Sequence, residues 1–419
     1  MKILTSFRTS AVRWPAVPLL VLCWYLVGEW VRFSEPHFGT AVGEASAFPV
    51  WAIASVCASC AAWEAGRLRR ARVWDGTPAR HRLQIAGNAL LPVGVLAVAA
   101  QLTGLMAAAL ALWAFPDGQG WLAAASAAAV AMAWIVLGFG LGALVPRAVA
   151  APAALICCFA WMTFTASANT TWPRHLTGMQ VSASNLTDIV STEAFVAPIA
   201  LTGAWALAVI LVGSRQQPGK ILVTASAGLA VAGTLVAYTI VRDWGPGAPM
   251  VARTGTTVCS LESPTVCLPK EYSTLAEPAH TAAGKVFPRL ENVGVHAPSR
   301  LFMTSRETQV SGETWRFHPS HGTGPEAMEI AVALSAAPAG EVPFCSESYQ
   351  GTPDVVHAWL LLTAGIGAET VANTTAPEAA AAAARVRLHP AAEQLDWFNS
   401  TWTSLKECQT PPALPGSAS

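Results

Sequence analysis

Residues 121–144 read WLAAASAAAVAMAWIVLGFGLGAL, twenty-four positions without one charged side chain. A hydrocarbon layer about 30 Å thick takes roughly 20 apolar residues of helix to cross. The stretch Trp121–Leu144 therefore reads as a membrane-crossing helix, and it sets the standard for the rest of the chain. Six more stretches meet it: Pro15–Val31, Val50–Trp63, Ala86–Ala114, Val149–Thr165, Phe195–Gly213 and Ile221–Val241. The Val50–Trp63 stretch is short and can borrow Ala45–Pro49. The Ala86–Ala114 stretch is long enough to tilt or kink, with Pro92 near its start. The first stretch begins like a secretory signal, but Glu29, Trp30 and Arg32 follow where cleavage needs small residues. It is read as an anchor.

Composition agrees. Over half of the 419 residues are apolar and 12% are charged, against about 25% charged in a soluble domain. The chain is neutral overall, yet up to Val241 it carries fourteen basic and eight acidic residues, a net of +6 that leaves −6 for the remainder. Such asymmetry predicts two environments. No basic tract interleaved with aromatics occurs, which excludes nucleic acid as an expected partner.

Lys and Arg concentrate in segments on the cytoplasmic side of a membrane. With the N-terminus inside, the inner segments are the N-terminus, Glu64–Ile85, Val145–Ala148 and Ser214–Lys220. They hold twelve basic residues, and only Arg32 and Arg174 remain outside. Seven spans then place the C-terminus outside. The cysteines give a separate reason for that placement. Cys23, Cys57, Cys60, Cys157 and Cys158 fall in spans, whereas Cys259, Cys267, Cys345 and Cys408 follow the last one. Four cysteines in an extracytoplasmic domain predict two disulfides, with three pairings possible. The short, turn-prone loop between Cys259 and Cys267 favours that pair, with Cys345 and Cys408 as the other.

The spans carry little chemistry. Cys57-Ala-Ser-Cys60 has the spacing of a redox or metal motif but no second ligand pair beside it. Gly138, Gly140 and Gly142 lack the strand and helix setting of a dinucleotide site, so they read as surfaces for close helix packing. Asn88, Gln101 and Thr103 are the main polar members of the third span. Ion-coupled carriers place ionisable groups inside their spans, and here only Glu29 stands near a span end.

The segment Trp63–Arg82 is too long and patterned for a hairpin turn. Its first part, to Trp74, can form a basic amphipathic helix, since Leu68, Ala71 and Trp74 recur at spacings of three. Asp75-Gly76-Thr77-Pro78 breaks it, and Arg80 and Arg82 lead into the next span. This arrangement resembles the permease subunits of type 2 ABC exporters, in which a cytoplasmic segment after the second span docks into the partner ATPase. Thr77, Pro78 and Arg80 match the small-residue, Thr-Pro, then-Arg ending of that segment. Ala166–Thr192 occupies the place of the family's outer segment between the fifth and sixth spans. The resemblance covers about the first half of the chain. It implies a coupling loop using Arg67, Arg70, Trp74, Asp75, Thr77, Pro78 and Arg80, a separate ATP-binding cassette ATPase subunit, and a homo- or heterodimer of permeases. The chain departs from the family by a seventh span and an added domain, and only Glu64 and Asp75 stand for the acidic residue usual in the segment. The whole architecture resembles bacterial permease-like proteins of high-GC actinobacteria that carry outer C-terminal domains. Arginines beside spans also bind anionic lipid head groups, so membrane lipids are expected partners.

The remainder, 242–419, opens on a linker containing Gly245, Pro246, Gly247 and Pro249. Strands are expected within Thr256–Pro269, at Leu301–Thr304 and at Thr314–His318. Helices are expected in Lys270–Val293 with breaks at Pro278 and Pro288, and over Glu326–Leu334, Val355–Leu362, Pro377–Leu388 and Pro390–Lys406. The class is α+β. His318-Pro319-Ser320-His321 with Glu326 and Glu329 holds metal-ligand residue types, but Pro319 disfavours the helix that would align them, so surface histidines are expected and no metal site. No Gly-x-Ser-x-Gly elbow occurs, nor a Gly-x-x-x-x-Gly-Lys-Ser/Thr phosphate loop. The expectation is a non-enzymatic chain without cofactor in a cell membrane, a helical polytopic domain (1–241) followed by a disulfide-bonded extracytoplasmic α+β domain (242–419). It acts as the permease of an ATP-driven exporter. The competing expectation is a membrane-anchored sensor, immunity or scaffold protein that transports nothing.

Overall fold

The computed structural model describes residues 10–73, 81–167, 170–179, 183–214, 219–255, 257–305, 313–318, 326–338 and 352–414. The chain divides into two compact units, Met1–Val251 and Ala252–Ser419. The boundary lies ten residues beyond the 241/242 division read from the sequence, because the linker after the last long helix packs back onto the first unit. Thr171 Oγ1 donates to the Trp244 carbonyl at 2.9 Å, and Ser191 N–H donates to the Pro249 carbonyl at 2.9 Å.

Among the described residues, the first unit contains eight α-helices: α1 (Ala16–Trp30), α2 (Gly39–Ala47), α3 (Val50–Arg70), α4 (Arg82–Leu112), α5 (Gly118–Leu144), α6 (Arg147–Phe164), α7 (Thr192–Gly213) and α8 (Lys220–Val241). Among the described residues, seven helical segments are long and apolar enough to cross a membrane, with α2 and α3 together counting as the second. Phe48 and Pro49 separate α2 from α3. Pro49 ends one helix and starts the next, as a residue that lacks an N–H can. The second segment is the hub: 78% of its apolar window is buried, against 11% for the last. Helix α3 packs on α4, α5 and α6, while α8 leans mainly on α7. Gln101, midway along α4, donates from Nε2 to the Ser46 carbonyl at 3.0 Å, so the polar residue of the third span ties it to α2.

The α3–α5 seam explains the glycines of the fourth span. A Cβ on Gly138 would overlap the backbone of Ala58, and one on Gly142 the backbone of Ala62. Two pairs of small residues four apart thus face one another, which lets the helix backbones touch.

The second unit holds strands β3 (Thr257–Cys259), β4 (Thr265–Pro269), β5 (Arg300–Phe302) and β6 (Thr314–Arg316) in one sheet, order β3-β4-β5-β6. The numbering follows β1 (Asp188–Val190) and β2 (Met250–Ala252), which pair separately. Strands β3 and β4 run antiparallel with Cys259 opposite Cys267, and these two cysteines form a disulfide. The β4–β5 and β5–β6 pairs are parallel. A parallel pair needs a crossover, here α9 (Ala276–Glu291). Its Ala279, Ala282, Ala283, Val286, Phe287 and Leu290 are buried, an apolar stripe of helical period.

The expected breaks at Pro278 and Pro288 do not occur. Pro278 falls in the first turn of α9, where no N–H is needed, and Pro288 falls in the last, where the helix ends within a turn. Helices α10 (Glu326–Ala336), α11 (Thr352–Thr363), α12 (Ala368–Thr374), α13 (Pro377–Val386) and α14 (Ala391–Lys406) complete the unit. Trp359 is wholly buried; its ring stacks on Phe398 with centroids 5.2 Å apart, and its Nε1 donates to Gln394 Oε1 at 3.0 Å. Cys408 is disulfide-bonded; Cys345, the partner expected from the sequence, lies outside the described residues.

One ion pair in this unit gives a pH expectation. Arg253 Nη2 lies 2.6 Å from Glu271 Oε1, and both side chains are about four-fifths buried. Burial alone raises the Glu271 pKa, but the Arg253 hydrogen bond, a backbone hydrogen bond and the charges of Arg253 and Lys270 outweigh it, and the net direction is down. A carboxylate lowered in the folded state contributes stability above its unfolded pKa and loses it as pH falls through the folded one. Acidification from neutral to below the normal carboxylate range is therefore expected to loosen the 253–271 contact. Protection of the amides in 265–275, taken relative to the intrinsic exchange rate at each pH, should fall over that range. In Arg253→Ala the acid-dependent part of that fall should vanish.

Candidate functional site

The basic end of the first unit gathers around the last two turns of α3. Nothing between Trp63 and Arg70 stops a helix, so α3 continues through the residues expected to begin a separate amphipathic segment. Intrahelical hydrogen bonding outlasts the apolar window, and Gly66 is tolerated because its bare face meets the Arg147 backbone and Cβ. The helix ends at Arg70. Arg72 adopts a left-handed conformation (φ 50°), and Val73 N–H returns to the Leu68 carbonyl at 3.2 Å. The separate basic helix to Trp74 expected from the sequence is thus replaced by an extension of the span.

Glu64 is fully buried there. Its Oε1 accepts from Ser10 Oγ at 2.9 Å and from Ala11 N–H at 2.8 Å, and its Oε2 lies 2.7 Å from Arg67 Nη2. Arg69 Nη1 donates to the Leu144 carbonyl at 2.6 Å, and the Arg147 guanidinium lies 4.6 Å from the Trp63 ring centroid. The N-terminal segment, the end of α3 and the α5–α6 turn are therefore clasped together. Of the expected coupling residues, Arg67 faces this clasp and Arg70 is exposed. Trp74, Asp75, Thr77, Pro78 and Arg80 lie outside the described residues.

The opposite end of the unit holds groups that the sequence did not single out. Glu44, in α2, is buried and accepts from Ser184 N–H at 2.9 Å and Ser184 Oγ at 2.5 Å; Ser184 Oγ in turn accepts from Val190 N–H. Asp117 caps α5 by accepting from Gly120 N–H and also accepts from Thr40 Oγ1, both at 2.8 Å. His175 is buried with Nε2 2.9 Å from the Gly245 carbonyl and its ring edge-on to Trp244. Burial pushes its pKa down; the Gly245 carbonyl opposes this and the Arg174 charge adds to it. The cavity under His175, Ser126 and Trp244, about 20 Å3, has room for little more than a water. The described residues of 170–190 are thus pinned across the end of the bundle through α2 and the chain after α8. An acidic residue amid the small residues of 39–47 was the one visible signal.

Cys23, Cys57, Cys60 and Cys158 are free and buried in the helical core. Among the described residues no group of His, Cys, Asp and Glu is arranged to hold a metal ion. Pro319, Ser320 and His321 of the candidate ligand cluster lie outside the described residues.

These features define a class: a polytopic helical protein with seven segments of membrane-crossing length, joined to a C-terminal unit of helices and a small sheet. Within that class, residues 266–408 match the family model described as a domain of unknown function, DUF7224. The match begins inside β4 and runs through α14, covering most of the second unit. No curated protein and no solved structure matches the chain.

Proposed function

We propose that the chain is the membrane-spanning permease subunit of an ATP-driven exporter, paired as a homo- or heterodimer and driven by a separate ATP-binding cassette ATPase. In this reading the N-terminus and the basic end of α3 face the cytoplasm, and the second unit lies outside the cell membrane, with both of its disulfides formed there. ATP hydrolysis belongs to the partner, and this chain is not itself an enzyme. The observation that supports the reading is the continuity of α3. One unbroken helix runs from the most buried part of the bundle to the exposed Arg70; Glu64 joins its end to the N-terminal segment, and Arg69 and Trp63 join it to the α5–α6 turn. A force applied at the Arg70 end of α3 would reach the bundle core along one helix. The touching α3–α5 seam would transmit it as rigid-body rocking, since close-packed helices shift as units. Apart from Glu44 and Glu64 towards the two ends of the second segment, the middles of the spans carry almost no acidic or basic side chains, which suits an amphipathic or lipid-like cargo.

The test is purification from the native host in mild detergent. A nucleotide-binding subunit should co-purify and should be lost about tenfold or more in Arg70→Glu with Arg80→Glu, because reversed charge at a docking face costs several kcal/mol. Wild-type protein without an ATPase overturns the reading. A second reading then stands, a membrane-anchored sensor, immunity or scaffold protein, which the ligand-sized pocket of the second unit favours.

A further inference from the structure

In the second unit α11, α13, α14 and the stretch ending at Leu414 line a half-open pocket of about 380 Å3. That volume lies in the range of small-molecule sites, which combine apolar walls with a few placed polar groups. Val355, Ala379, Pro412 and Leu414 supply apolar walls. Trp397 and Thr401 also line the pocket, one turn apart on α14, and they are 5% and 0% exposed. Trp397 Nε1 and Thr401 Oγ1 are buried atoms with no hydrogen-bond partner. Buried polar atoms are nearly always paired, so two orphans on one pocket wall call for an explanation. Elsewhere in the unit Trp359 Nε1 is satisfied by Gln394, while Trp402 Nε1 and Thr363 Oγ1 lack hydrogen-bond partners away from the pocket. Glu378, an exposed residue of the same lining, puts a carboxylate at the mouth.

The indole N–H can only donate, and the threonine hydroxyl can donate or accept. Together they fit an oxygen acceptor set deep among apolar walls. The carboxylate at the mouth fits a cation. We infer that the pocket binds a small amphiphilic amine of dipeptide size. Its carbonyl oxygen takes the hydrogen bonds of Trp397 and Thr401, its branched side chains fill the apolar walls, and its ammonium group pairs with Glu378. The inference rests on the second unit alone and stands whether or not the chain is an exporter subunit.

The test uses the full chain in nanodiscs, labelled with 5-fluorotryptophan, with the Trp397 resonance assigned by its loss in Trp397→Phe. The probe is L-leucyl-L-leucinamide, and the control is its N-acetyl derivative, which lacks the ammonium charge. Titration with the amine should shift the Trp397 resonance saturably. Ala379→Phe, which fills the pocket, should weaken binding about tenfold or more. Thr401→Val keeps the shape and removes the hydroxyl, so it should weaken binding even if Ala379→Phe fails to fold. Glu378→Gln should weaken the amine several-fold and leave the acetylated control unchanged. No shift of Trp397 up to about 10 mM probe, a range that covers even weak millimolar binding, overturns the proposal. A shift equal in wild type and Thr401→Val, or equal for amine and acetylated probe, overturns it as well.

Discussion

Leucine at Gly138 or Gly142 is expected to prevent the helical unit from assembling. A first side-chain carbon at either position overlaps backbone atoms of Ala58 or Ala62, and neither alanine is the far end of a flexible side chain that could swing aside. Helices α3 and α5 would have to separate along their whole contact. Inside a bilayer no hydrophobic force drives helices together, so the loss of close packing is not offset by burial elsewhere. The cost should exceed the roughly 1–3 kcal/mol of an ordinary overpacked core, because α3 is also the element against which α4 and α6 pack. Size-exclusion profiles in detergent and the thermal midpoint report it directly. Gly228→Leu on α8, where an added side chain meets open space, should behave as wild type. A monodisperse Gly138→Leu with an unshifted midpoint would sink the account of the seam.

The second large effect is expected from Glu64→Ala. That side chain is 1% exposed and satisfies Ser10 Oγ, Ala11 N–H and Arg67 at once. Its removal strands two donors and takes away one partner of Arg67; breaking a buried pair costs about 3–5 kcal/mol. The lower end applies here, since the Arg67 side chain is 41% exposed and water can take part of its charge. Glu64→Gln keeps an oxygen at the Oε1 position and should cost about 1 kcal/mol, in the range of one weakened charged hydrogen bond. A readout specific to the clasp accompanies stability. Trypsin should cut after Arg13 faster in Glu64→Ala than in wild type, because the N-terminal segment is no longer held. Equal cleavage in both would show that the carboxylate does not retain that segment.

The spans were legible because length and apolarity alone determine them, and, apart from the second, which also takes in α2 from Gly39, their apolar edges fall within a few residues of the observed helices. The basic ends were less so. The second span continues to Arg70 and the third begins at Arg82, since a helix propagates through charged residues whose heads can reach water while their stems stay packed. The disulfide Cys259–Cys267 was legible for the opposite reason: its ends are eight residues apart in a turn-forming sequence. Glu44 and Glu64 were not legible as structural groups. Their partners Ser184 and Ser10 lie 140 and 54 positions away, and no local pattern announces such pairs. The Trp397 and Thr401 spacing shows that they share a face of a helix, but the walls opposite come from Val355 and Ala379 on other helices. Helix α12 escaped notice because seven mostly polar residues carry no usable periodicity. Of the expected coupling residues, only Arg67 and Arg70 have a described place, and the first is engaged by Glu64.

The Cys259–Cys267 bridge also bears on how such a chain is made. Under the proposed topology the second unit crosses the bilayer as an extended thread behind α8, its thiols reduced until they emerge. The hairpin that carries the bridge follows the last span by fewer than twenty residues. An oxidase at the membrane surface would meet two thiols brought face to face by a local turn, so the right partner is also the nearest one. The bond can close early and fix the β3–β4 edge against which the later strands align. Cys408 lies far downstream and must wait for the rest of the unit, which makes its bond the late step of maturation and the one most open to error.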